Sequence, residues 1–137
     1  MRRSEGGQAL VEFALTLPIL LLLMIGAIDV GRGFQAYVSL GNAVREAARE
    51  AALHGAEASI QWGPAANDTN VPTAVRGRIA GIRTEDVAVT SSWPSSSNAA
   101  GTEVVVSATY TFRPIAFTFL GSISIPMSAT TRARIQH

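Results

Sequence analysis

The sequence predicts an α+β fold: one long N-terminal helix, membrane-spanning in its first half, packed on a small antiparallel β-sheet. Three observations carry this expectation. An uncharged run, FALTLPILLLLMIGAI, fills Phe13 to Ile28. Small apolar residues then recur at helical spacing as far as Ala52. From Val87 onward, apolar and polar residues alternate in three separate runs, the signature of strands with one buried face. At 137 residues the chain has room for a small domain and a membrane helix, not for two independent cores.

The first helix begins with the apolar run. Ala9 to Val11 extend it backward across Glu12. About 20 helical residues rising 1.5 Å each cover roughly 30 Å, the hydrocarbon thickness of a bilayer, so residues from about 9 to 28 can cross one. A cleaved secretory signal has a shorter apolar core and a small-residue cleavage site after it. Here the run is followed by Asp29-Val30-Gly31-Arg32, which offers no such site. Arg2 and Arg3 precede the span, and the positive-inside tendency puts them in the cytoplasm and the chain after Arg32 on the far side.

Two residues are unusual for a simple anchor. Glu12 lies within the apolar run, where an ionisable group costs about 2.5–3.5 kcal/mol or more and asks for a partner or a function. The alternative for Glu12 is a carboxylate near the cytoplasmic interface that reaches the headgroups or is protonated. Pro18 removes one helical hydrogen bond, which membrane helices tolerate.

Together, Gly7-Gln8-Ala9-Leu10-Val11-Glu12-Phe13 resembles the processing site of type IV pilin-like precursors: a glycine, four residues, then glutamate ahead of an apolar helix. The longer stretch from Gly7 to Glu50 is similar to the TadE-like family of pseudopilins or minor pilins of the tight-adherence (Flp) pilus system. The matching elements are VEFAL from Val11, Pro18, the acidic residue and Gly-Arg at Asp29, Gly31 and Arg32, and NAVREAAR from Asn42. Where the family usually has glycine after the last Arg-Glu pair, this chain has Ala47 and Ala48.

The resemblance implies a precursor with a basic leader over residues 1–7, cut between Gly7 and Gln8 by an inner-membrane prepilin peptidase. The product would then enter or prime an adhesive filament. It implies further partners: other pilin or pseudopilin subunits and the pilus assembly platform. The expected location is a bacterial inner membrane with the C-terminal domain outside, and an extracellular pilus after processing. Glu12 and Phe13 are the expected processing and assembly residues. Physics adds a reason for Glu12: cleavage creates an ammonium group on Gln8, and a carboxylate four residues on can neutralise it, in the same chain or on a stacked neighbour. The alternative function is an uncleaved, single-pass, membrane-anchored interaction module outside any filament.

The helix is expected to continue to about Leu53, within a segment 8–54, because no proline interrupts Asp29 to Leu53 and Gly55 offers a stop. Val44, Ala47, Ala48, Ala51 and Ala52 form a stripe, continued down by Leu40, that lets another surface approach closely. That surface is the domain's own sheet or, alternatively, a neighbouring helix. Arg45 and Arg49 are four apart, as are Glu46 and Glu50, giving two stripes of opposite sign that adjacent subunits could pair. The plainer alternative is a solvated face with Glu46 bonded to Arg49.

Residues 55–137 form the exterior α+β domain. Ile60 to Asn70 reads as loop, with Gly63-Pro64 and a polar cluster. Asn67-Asp68-Thr69 formally matches a glycosylation acceptor, and the cluster a calcium loop, but it lacks that loop's Gly and terminal Glu and reads as a turn. A short helix follows within Val71 to Ile82, with Thr73 as cap or Pro72 at its first position. Strands are expected around Val87 and Val89, from Val104 to Phe112, and from Ile123 to Ile135, where Pro126 argues for an edge or a bulge. Between the last two, PIAFTFLG carries Ile115, Phe117, Phe119 and Leu120, too apolar for an ordinary turn. These residues close the core or form an added strand, or else they make a patch that meets a neighbouring subunit or the membrane.

Chemistry is not indicated. The chain has no cysteine, its basic residues are all arginine with no run after Arg3, and its net charge is +1, so a nucleic-acid surface and thiolate sites are excluded. His54 sits at the helix end, suited to capping it, and His137 is the last residue. Neither has a carboxylate at ligand spacing, no phosphate loop follows a strand, and Ser95 to Ser97 lie in a linker. No enzyme activity, metal, cofactor or small-molecule substrate is expected.

Overall fold

The computed structural model describes residues 4–64, 68–116 and 123–136, with side chains from Gly7 onward. Helix α1 runs unbroken from Ser4 to Leu53, through Pro18. Helix α2 (Asn70–Arg76), a 3₁₀ turn (Thr84–Asp86) and strands β1 (Val87–Ser92), β2 (Glu103–Phe112) and β3 (Ile125–Arg134) follow. The strands form one antiparallel meander with β2 in the middle. Its register pairs Val87 with Tyr110 and Phe112 with Ile125. The expected α+β architecture is therefore present.

The core forms where the second half of α1 crosses the sheet. Leu40, Val44, Ala47 and Ala48 are fully buried, with Ala43 and Ala51 nearly so. They meet Val87, Val104, Val106, Ala108 and Ile135 from the strands and Val71 and Val75 from α2. Alternation along β2 puts Val104, Val106 and Ala108 on that face and Ser107 and Thr109 on the other. Each buried valine contributes about 1.5–3 kcal/mol, while the alanines keep the helix thin enough for both layers to touch it. The small-residue stripe thus serves the chain's own sheet and α2.

The end of α1 is secured by side chain and backbone together. Helix carbonyls of the last turn lack partners unless something else donates. His54 Nδ1–H donates to the Glu50 carbonyl at 2.9 Å, and its ring stacks on Trp62 with centroids 4.5 Å apart. The Ala51 and Ala52 carbonyls accept from the His54 and Gln136 amides. Gly55 is not left-handed; the positive-φ glycines among the described residues are Gly63, Gly81 and Gly101. At Gly63 (φ 63°) the bare Cα lies against the Trp93 indole, so a side chain there would overlap the ring.

Two local expectations change. Helix α2 starts at Asn70, earlier than expected: Thr69 holds the cap position, and Oδ2 of Asp68 just before it, rather than Thr73, accepts the Val71 amide at 3.2 Å. Pro72 sits within the first turn, where its missing N–H leaves no bond unmade. The apolar stripe of β3 is only partly covered. Ile135 is buried, Met127, Ala129 and Ala133 are half-buried, and Ile123 and Ile125 are exposed. β3 is an edge strand, with Pro126 opposite Thr111, and α1 does not fully cover it.

Candidate processing and assembly site

The first half of α1 presents its apolar side chains to the surroundings. Leu10, Phe13, Ile19 and Leu23 are each more than 60% exposed, so this surface needs a non-aqueous environment or a partner. The helix is long and apolar enough to cross a membrane, and no part of its most apolar window is buried in the protein. It suits anchoring in a bilayer.

Gly7 stands near the start of this helix with nothing within 4 Å of where a side chain would be. The folded chain therefore sets no steric requirement for glycine at this position. Gln8 follows, exposed, and one turn farther lies Glu12, also exposed. The Glu12 carbonyl accepts the Thr16 hydroxyl at 2.7 Å, but its carboxylate has no partner among the described residues. Phe13 beside it is 62% exposed. Gly7, Gln8 and Glu12 thus lie within about two turns on one accessible stretch.

The charged residues higher on α1 are arranged differently. Arg49 donates through its guanidinium to both carboxylate oxygens of Glu46. That hydrogen bond holds the Glu46 carboxyl below its ordinary range. Glu50 pairs with Arg78 just beyond α2 at 2.6 Å, a close ion pair without hydrogen-bond alignment. Arg45 donates to Asn42 at 2.6 Å, so among the described residues it is the charge of this quartet facing no carboxylate. Ile115 is 49% exposed. Phe117, Phe119, Leu120 and Asn67 lie outside the described residues.

One functional group was visible in the sequence only as part of a motif. Asp29, at the end of the apolar run, is 5% exposed, and its carboxylate ties distant parts together. Oδ2 accepts the Ala116 amide at 2.7 Å, and Oδ1 accepts from Arg32 at 2.9 Å. Arg32 also lies over the Phe112 ring, 5.7 Å from its centroid. Gly33 faces the same ring: a Cβ there would stand 3.4 Å from Phe112, in van der Waals contact. The sequence signal for this cluster is an acid and an arginine three apart beside a glycine at the end of the apolar run.

The family model described as TadE-like protein matches residues 7–49, about a third of the chain. The match begins at Gly7, spans Gln8, Glu12, Asp29, Arg32 and Arg45 to Arg49, and stops inside α1, before any of the sheet. No curated protein and no solved structure matches the chain. The family is structural and associated with the tight-adherence pilus.

Proposed function

We propose that this chain, TadE-like over residues 7–49, is a structural or assembly subunit of a tight-adherence type IV-like pilus, a pseudopilin, minor pilin or pilin, made as a precursor and cut after Gly7 by a prepilin peptidase. The observation that carries the reading is Glu12: an exposed carboxylate without a partner among the described residues, inside an apolar helix, one turn beyond the residue that would become the N-terminus. Hydrolysis of the Gly7–Gln8 bond leaves an ammonium group on Gln8. In a membrane or filament interior that cation and the Glu12 carboxylate stabilise each other several-fold more than in water, whether within one chain or between stacked copies. The pair then fixes the axial register of the subunit. The basic leader keeps the N-terminus cytoplasmic, and the sheet domain stands outside the inner membrane.

Gly7 supplies the test. Because nothing packs against it, Gly7→Val leaves the fold intact and changes only what a peptidase meets. We predict that the native chain begins at Gln8 by mass spectrometry and that Gly7→Val accumulates at the precursor mass. An intact Met1 on the native protein, or equal trimming of the variant, would instead identify an uncleaved membrane-anchored module.

A further inference from the structure

At its membrane end the exterior domain is apolar on the outside. Val30, Phe34 and Tyr37 on α1 are 74%, 70% and 59% exposed, and Ile115, Ile123 and Ile125 are each roughly half exposed. Between α1 and the start of β3 an open groove of about 420 Å³ is lined by Val30, Phe34, Tyr37, Phe112, Ile125 and Met127. It exists because the edge strand passes beyond the cover of the helix.

Position says what fills it. Gly26 lines the same groove, so the groove opens directly off the apolar run that ends at Ile28. At 1.5 Å per residue, Val30 and Arg32 stand about 3 and 6 Å beyond Ile28, within the headgroup layer of roughly 5–7 Å, and Phe34 stands near its outer edge at about 9 Å. An ordinary helix tilt brings one flank of the domain closer still.

Polarity changes with height in the same sense. Between Leu40 and Ala52, α1 exposes no large apolar side chain. The next stretch of the α1–β3 groove has a mixed lining, Arg45, Ser128, Thr130 and Thr131 beside Tyr37, Val38 and Ala129. A protein lying along the groove would be met by apolar surface along its length. A bilayer asks for it only at its own level. On the other flank of α1, Arg32, Arg83 and Arg113 line one depression together with Asp86; Arg83 is paired with Asp86 and Arg32 with Asp29, which leaves Arg113, among the described residues, as the cation suited to a lipid phosphate.

We infer that the exterior domain rests on the bilayer leaflet it faces. With α1 tilted toward this flank, Phe34 and Ile125 enter the headgroup layer, lipid occupies the groove between α1 and β3, and Arg113 meets phosphates. This rests on the reading that α1 crosses a membrane, and the experiment separates the two.

The chain has no native cysteine, so single substitutions carry single probes. Leu20→Cys reads the span, Phe34→Cys and Ile125→Cys the groove, and Ser95→Cys the far end of the domain; all four positions are exposed, so the label does not disturb the core. Each full-length variant, labelled with an environment-sensitive fluorophore, is placed at one copy per nanodisc of mixed zwitterionic and anionic lipid with nitroxide-bearing acyl chains. The expected result is quenching at Leu20, Phe34 and Ile125, with blue-shifted emission at the groove relative to Ser95. Groove probes that behave like Ser95 while Leu20 is quenched would overturn the inference and leave the anchor standing. Blue-shifted, unquenched groove probes that appear only at two copies per disc would overturn it in favour of a second copy of the chain. An unquenched Leu20 removes both the inference and the anchor.

Discussion

Asp29 shows how one side chain sets the geometry where the apolar run of α1 ends. Its buried carboxylate accepts the Ala116 amide and the Arg32 guanidinium, so it satisfies a donor on the segment after β2 and a cation on its own helix. Removing it leaves the Ala116 N–H buried without an acceptor, whereas Arg32, whose side chain is 45% exposed, can turn to water or lipid. The loss is therefore weighted toward the amide. We predict that Asp29→Ala destabilises the full-length protein in micelles by about 1–3 kcal/mol, and that Asp29→Asn, which keeps an acceptor of the same shape, loses less. Chemical unfolding of the three proteins checks the order; equal stability of wild type and the alanine variant would show that the latch carries no energy. The residue was legible in the sequence as an acid three before an arginine, but its partner was not: Ala116 lies 87 positions away, and no local period points to a backbone amide.

Elements were legible where one periodicity ran long enough to be buried on one side. The alanines of α1 recur at helical spacing and do reach the sheet, and Val104, Val106 and Ala108 alternate along the central strand. Central position is what made β2 simple, because both of its edges are paired and one whole face is covered. In β3 the same alternation overstated burial, since period two tells which residues share a face and says nothing of how far the covering helix extends. The start of α2 departs from the sequence expectation for a comparable reason: the polar cluster around Asp68 has the composition of a turn, while its carboxylate also accepts an amide of the next helix. A prediction follows from the closeness of the helix to the sheet. Ala48 is fully buried within the core cluster, so Ala48→Leu should destabilise the domain by about 1–3 kcal/mol through overpacking, despite its higher hydrophobicity. Thermal unfolding reads this directly. A variant as stable as wild type would mean that the stripe is not closely packed and would reopen it as a contact for a neighbouring helix.

For the whole molecule, the division is between a second half of α1 whose alanine stripe packs against the chain's own sheet and a first half whose apolar side chains are largely exposed among the described residues. The core holds its sheet, α2 and the upper helix together without help from the span, so changes in the span can alter assembly without unfolding the domain. Glu12 is the sharpest case. Within lipid an unpaired carboxylate is a cost, so replacing it with alanine makes the helix easier to insert. In a filament interior the same replacement leaves the Gln8 ammonium without its partner, and breaking a buried pair costs about 3–5 kcal/mol. Insertion and assembly should therefore move in opposite directions. We predict that Glu12→Ala reaches the membrane fraction at wild-type level or above, is trimmed to the mass beginning at Gln8, keeps the unfolding transition of its exterior domain, and is absent from sheared filaments. Glu12→Gln, which retains size and hydrogen bonding but not charge, should fail at the same step, because the ammonium demands an anion rather than a dipole. Wild-type incorporation of Glu12→Ala would return Glu12 to the role of an interfacial carboxylate held in the headgroups, and the register would then have to come from packing of the apolar side chains alone.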